Sequence, residues 1–218
     1  MANFANYDDE FQESRLAWDR QYKRGYFLNQ PIQHELPAII DQFKVHGIKH
    51  VLDHGCGSGR HVLYLAEHGF QVFGLDIAPS GFRSIIDKLT TKNVSSQNVL
   101  ADILYLPYED ECFDAIISVR VLHHNRINII RKTVAEMWRV LKPGGLVWVT
   151  VPLPKDHGSK NGQEIEPGTW VPHNGIEKGL PHHLFTEDEL RELFHRFSIL
   201  QLRIVSSSHY SLLAQKSL

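Results

Sequence analysis

A chain of 218 residues with 42% hydrophobic content is long enough for one substantial core, and one domain is a better expectation than two. Its formal charge of -2 excludes the general pull toward polyanions that a Lys/Arg surplus gives nucleic-acid binders, and no basic block of that kind is present. Two cysteines, Cys56 and Cys112, make neither a disulfide framework nor a metal spacing; with an acidic opening segment and no run of ~18 apolar residues, a cytoplasmic setting away from membranes is expected.

Residues 8–28 have the spacing of an amphipathic helix carrying Phe11, Leu16, Trp18 and Tyr22, and a second helix follows Pro31 with Leu36, Ile39, Ile40 and Phe43. Strand-like runs then alternate with helices at 48–53, 71–76, 98–102, 113–119 and 146–152, which implies a parallel sheet with right-handed crossovers. Between the last two runs, Ile130, Val134, Met137, Trp138 and Leu141 mark a helix that the turn LKPGG ends. Residues 153–183, rich in Pro, Gly and His and without periodicity, read as one long active-site loop. Thr186 and Glu189 form a capping box for a last helix whose Leu190, Leu193 and Phe194 face inward, and runs at 197–206 and 209–217 are close enough for a hairpin at one edge of the sheet.

The densest chemistry lies in residues 51–76, VLDHGCGSGRHVLYLAEHGFQVFGLD. Gly55, Gly57 and Gly59 are three backbone positions without a Cβ, where a ligand can approach the main chain, and Asp76 ends the second strand with a carboxylate able to accept from two ribose hydroxyls. A dinucleotide site would need its third glycine at position 60, but Arg60 stands there, and Asp53 places negative charge where a pyrophosphate would lie. The pattern suits a cofactor with an ammonium group and no pyrophosphate. His54 needs a partner if it is buried, and Arg60 at a helix N-terminus needs an anion nearby.

With these residues the segment resembles the class I S-adenosylmethionine (SAM) dependent methyltransferases, whose first motif reads like DHGCGSG; the likeness is good over 48–152. Within the superfamily it looks most like small bacterial-type enzymes that include the tellurite-resistance and thiopurine-type methyltransferases. The resemblance implies an α/β, Rossmann-like seven-stranded sheet of order 3-2-1-4-5-7-6 with the last strand antiparallel. It divides one domain into an N-terminal helical cap (1–47), a cofactor core (48–152), an active-site loop (153–183) and a C-terminal helix and hairpin (184–218). It also implies SAM as cofactor, S-adenosylhomocysteine (SAH) as product and methyl transfer to a small molecule, while the composition gives no expectation of a nucleic-acid partner. An RNA or protein methyltransferase and a SAM-binding protein without transferase activity are the rivals.

Roles follow residue by residue. The loop of Gly55, Cys56, Gly57 and Gly59, with Asp53 behind it, would hold the methionine ammonium and carboxylate; Asp76 would hold the ribose. Ile77 would pack on the adenine, and Asp102 with the Ile103 N–H would meet its edge, although Asp102 also suits an ordinary turn. Val119 and Leu122 would face the cofactor; among Trp18, Tyr22 and Tyr26, Trp18 would close over the sulfonium, against a reading in which it only packs its amphipathic helix on the core. His123 and His124 are candidate proton acceptors beside the transferred methyl, against a reading in which one only holds a turn, and His182 is a third. No metal is expected: His123, His124, His173, His182 and His183 have no ligand spacing, so any geometry would have to come wholly from the fold.

Overall fold

A computed structural model describes residues 4–154, 162–205 and 208–217, with side chains from residue 12 onward. The expected side-chain role of Phe11 therefore lies outside the described residues. Helix α1 (Phe4–Lys23) and α2 (Leu36–Val45) precede β1 (His50–His54), α3 (Arg60–Glu67), β2 (Gln71–Asp76), α4 (Pro79–Lys92), β3 (Gln97–Leu100), β4 (Phe113–Val119), α5 (Ile127–Val140) and β5 (Leu141–Pro152). After these come β6 (Gly162–Glu166), β7 (Thr169–Pro172), β8 (His182–His183), α6 (Glu187–Leu193), β9 (Phe197–Val205) and β10 (His209–Lys216). No described helix is long and apolar enough to cross a membrane.

Seven strands form one sheet in the order β3-β2-β1-β4-β5-β10-β9, with β10 inserted antiparallel between β5 and β9, as expected. Both faces are covered. In β4, Ala115, Ile117 and Val119 pack with α2, α3 and α4 residues such as Phe43, Val62 and Ile85, while Phe113 and Ile116 pack with Val134 and Met137 of α5. β5 repeats the pattern, Leu146 and Trp148 on one side and Val147, Val149 and Val151 on the other. Alternation with a period of two sorts each strand onto both faces, and since both are dry, the central strands read as unbroken apolar runs.

Two expectations need revision. The LKPGG segment is not a turn outside the sheet: Leu141 pairs with Phe113 and Leu146 with Ala115, so residues 142–145 bulge within the ladder. Nor is 153–183 one irregular loop, because β6, β7 and β8 form a three-stranded antiparallel sheet whose first turn is Pro167–Gly168, with Gly168 at φ +78°. Residues 155–161 lie outside the described structure.

Buried histidines are neutral by construction. His54 donates from one nitrogen to the Ile103 carbonyl at 3.3 Å and lies 3.2 Å from the Ser118 hydroxyl, which supplies the partners its burial requires; burial pushes its pKa down to about 4. His61 accepts the Gln33 backbone N–H at Nε2 (3.2 Å), and burial, with Arg60 and Arg120 close by, lowers its pKa to about 3. Since the folded value lies below the unfolded one near 6.5, the unfolded chain gains the proton first, and this contribution to stability is lost as pH falls from about 6.5 toward 3. His61→Gln, which keeps an acceptor for Gln33, is expected to flatten the fall in stability between pH 6.5 and 4 by about 1.4 kcal/mol per pH unit in urea titrations. An unchanged slope would show that His61 does not fold neutral.

Candidate functional site

The loop after β1 is tied to β2 by main-chain bonds: Gly55 and Cys56 both donate to the Leu75 carbonyl, at 2.8 and 2.9 Å. Asp76, at the end of β2, completes the closure. Its Oδ2 accepts from the Gly57 N–H and its Oδ1 from the Ala78 N–H, each at 2.8 Å. Burial pushes this carboxyl's pKa up, and the Ala78, Gly57 and Ile77 N–H groups hold it down. Gly55, Gly57 and Gly59 have positive φ, and a Cβ at Gly55 or Gly57 would collide with Val121 or with the Tyr22 hydroxyl. The glycine cradle is thus packed closely against Val121 and Tyr22, and it opens on a cavity of about 1160 Å³.

The cavity is covered from two sides. Helix α1 crosses it, fixed by Asp19, which accepts the Ser80 N–H at 2.8 Å, and by Gln21, which donates to the Ile176 carbonyl at 2.5 Å. Trp18 lines the cavity and meets His124 edge-on with ring centroids 4.7 Å apart. The small sheet covers the other side. The His183 N–H donates to the His123 carbonyl at 2.8 Å, and Glu166 accepts from the Ile127 N–H at the start of α5 (2.7 Å) and from the Thr169 hydroxyl (2.9 Å). These bonds bring His182 to His123 and His124, at centroid distances of 5.7 and 4.7 Å. Burial lowers the pKa of all three imidazoles, that of His182 to about 4, so neutral rings face the cavity.

Trp18, Gly55, Cys56, Gly57, Asp76, Ile77, Asp102, Ile103 and Val119 line the cavity with these histidines. Asp102 also serves the turn reading, one oxygen accepting the Leu104 N–H at 2.9 Å. Cys56 is a free, buried thiol whose pKa burial pushes well up. Three expected residues do not line it. Leu122 is fully buried in the core beside α5, because the strand alternation stops at Val119 and the chain turns, with the His124 N–H donating to the Val121 carbonyl. Gly59 serves helix packing: a Cβ there would come within 2.6 Å of Ile85. Asp53 lies under the loop, 1% exposed, its Oδ2 without a partner among the described residues. Burial raises the Asp53 pKa to about 7, against the nearby Arg60 charge.

Arg120 and Val121, within the 119–124 segment expected at the pocket but not singled out there, also line the cavity, as does Glu177, which sequence reasoning left out. Arg120 takes a left-handed φ of +59°, a conformation no residue type announces, and Glu177 arrives on the covering segment. Burial lowers the Arg60 pKa, nearby Asp53 opposes that shift as the anion its position calls for, and the side chain also donates to the Pro31 carbonyl at 2.9 Å. His173 is exposed and apart from the histidine cluster.

The arrangement fits SAM on two counts: an orphaned carboxylate oxygen under the loop, and an Asp76 carboxylate with lone pairs left after its backbone bonds. Gly81 of α4 tests the cradle, because a Cβ there would stand 2.6 Å from the Gly57 carbonyl oxygen. Gly81→Ala is expected to push the loop aside, weakening SAH binding tenfold or more in calorimetry and costing ~1–3 kcal/mol of stability despite alanine's better helix propensity. Wild-type affinity in this variant would mean that the loop position does not set binding.

Residues 52–149 match the family described as a methyltransferase domain. The chain is 39% identical over 102 residues to a tRNA (carboxymethyluridine(34)-5-O)-methyltransferase of Arabidopsis thaliana, over 46% of this chain and 23% of that protein. It is 30% identical over 118 residues to a malonyl-[acyl-carrier protein] O-methyltransferase of Salmonella typhimurium, over 54% of this chain and 45% of that protein. The alignments thus span less than half the length of these two relatives. The fold matches the crystal structure of 1,6-didemethyltoxoflavin-N1-methyltransferase of Burkholderia thailandensis, holding 1,6-didemethyltoxoflavin and SAH, with a TM-score of 0.74 and 20% identity over all of this chain and 92% of that one.

Proposed function

We propose that this chain, a member of the class I SAM-dependent methyltransferase superfamily, transfers a methyl group from SAM to a small-molecule acceptor held beside His123, His124 and His182. The supporting observation is the single covered cavity of about 1160 Å³, which joins the glycine cradle and Asp76 to the histidine cluster. That volume exceeds the ~300–1,000 Å³ usual for one ligand, leaving room for a cofactor and a compact acceptor under α1 and the small sheet.

When bound, SAM supplies a methyl group already activated by its sulfonium. Asp76 would hold the ribose diol and Ile77, Asp102 and Ile103 would form the adenine side, while Asp53, buried beneath the loop, would set a negative field for the ammonium. Trp18 shields the reacting end from water. The neutral imidazoles orient the acceptor and can take its proton as the nucleophile forms its new bond, so catalysis is mainly positional. Arg120 and Glu177 offer the acceptor one charge of each sign.

The test is SAH formation from SAM with a panel of small carboxylates, phenols, thiols and amines, with bulk tRNA in parallel. Turnover of a small acceptor, reduced at least ~100-fold in His123→Ala at unchanged SAH affinity, is expected. Turnover confined to tRNA would replace the small acceptor with RNA, the second reading, which the 39% identical relative favours. SAH binding with no turnover of any acceptor would leave a binding protein.

A further inference from the structure

We infer that His123, His124 and His182 form a site for one divalent transition-metal ion of the zinc class, with its open side toward the cavity. One ring nitrogen from each lies within 4.8 Å of the other two. His123 Nδ1, His124 Nδ1 and His182 Nε2 are buried without a hydrogen-bond partner among the described residues. Leaving a buried polar nitrogen unpaired is costly, so three in one cluster are not what packing alone would select.

The surroundings suit an ion. His124 hydrogen-bonds the Pro181 backbone, and since proline has no N–H, the ring donates to the carbonyl, leaving Nδ1 with its lone pair. Metal-binding histidines are commonly held in this way, the far nitrogen donating to a carbonyl that fixes the tautomer. Glu177 Oε2 is 3.5 Å from His182 Nε2, which places a carboxylate beside the cluster and offsets the charge of nearby Arg120. Nitrogen donors favour zinc-class ions over magnesium or calcium. At metal–nitrogen distances of ~2.0–2.1 Å, tetrahedral ligands stand ~3.4 Å apart, so small ring rotations complete the site. His182 reaches the pair only through β8, which is why no local spacing announced it. What the ion would do rests on the proposed function and replaces the proton-accepting role of the three rings, whose lone pairs it takes: its open position is where an acceptor oxygen, nitrogen or sulfur would bind and become more acidic. The binding itself does not depend on that reading.

Untagged, chelator-stripped full chain titrated with cobalt(II), followed by visible ligand-field absorption, and with zinc by competition, tests the site. One equivalent should bind, weakened on the order of 100-fold in His182→Ala and unchanged in His195→Ala, whose imidazole is exposed on another face. His182 is on the covering sheet, so its variant should keep the fold, which SAH affinity and melting temperature will report. No ligand-field band in the wild type, or equal binding in His182→Ala, overturns the site. SAH binding without metal binding sinks this inference alone, whereas metal binding without SAH binding sinks the cofactor reading alone.

Discussion

Asp76→Ala is expected to weaken SAH binding on the order of 1,000-fold, the largest effect of any single substitution in the cofactor half. The carboxylate does two things at once. It accepts the Gly57 and Ala78 N–H groups, which closes the loop onto β2, and its remaining lone pairs face the cavity, where a ribose diol would donate. Two hydrogen bonds to a charged acceptor, at ~2 kcal/mol each, account for the expected factor. Alanine also strands two N–H groups, so the protein should melt earlier. Asp76→Asn separates the effects, because its one oxygen keeps a backbone bond. It should recover part of the melting temperature while still binding SAH at least tenfold more weakly than wild type. Calorimetry and thermal melting on both variants check this; wild-type affinity in Asp76→Asn would remove the ribose role.

Asp53 should make cofactor binding depend on pH. Its carboxyl is buried, one oxygen has no partner among the described residues, and burial raises its pKa to about 7. A cofactor ammonium binds only the ionised form, so affinity is present above the free-protein pKa and lost below it. From pH 7.5 to 5.5 the ionised fraction falls about 25-fold, and the apparent SAH dissociation constant should rise by the same factor. Asp53→Asn should bind ~10–100-fold more weakly at pH 7.5 and show a shallower pH dependence than wild type, what is left coming from Asp76, whose carboxyl burial also pushes up. His54, His61 and His182, with pKa values of about 4, 3 and 4, stay neutral across this window. A wild-type constant flat over these two pH units would place Asp53 outside the ammonium's field.

The sheet could be read from the chain because strands and helices alternate, and apolar runs such as FDAIISV and LVWVTV require burial on both faces. The glycine cradle was legible for a similar reason: strand, turn, helix and acidic strand end are contiguous, so local rules place Gly55, Gly57 and Asp76 together. The acceptor half is built from distant pieces. His182 meets His123 through a small sheet whose hairpin cue, Pro167–Gly168 between GQEIE and TWVP, lay in a stretch read as irregular. Leu122 was misplaced because alternation was carried past Val119, where the left-handed Arg120 redirects the chain.

The small sheet is joined to the core in part by main-chain groups, the His183 and Phe185 N–H donating to the carbonyls of His123 and Pro152. Such bonds are indifferent to side-chain identity. Apart from Glu166 and Thr169, whose side chains help to anchor it, residues of β6 and β7 such as Ile165 and Val171 can therefore be exchanged to reshape the cavity while the backbone holds His182 near its partners. Under the proposed function, acceptor selectivity would then be tunable from the small sheet without touching the glycine loop or Asp76.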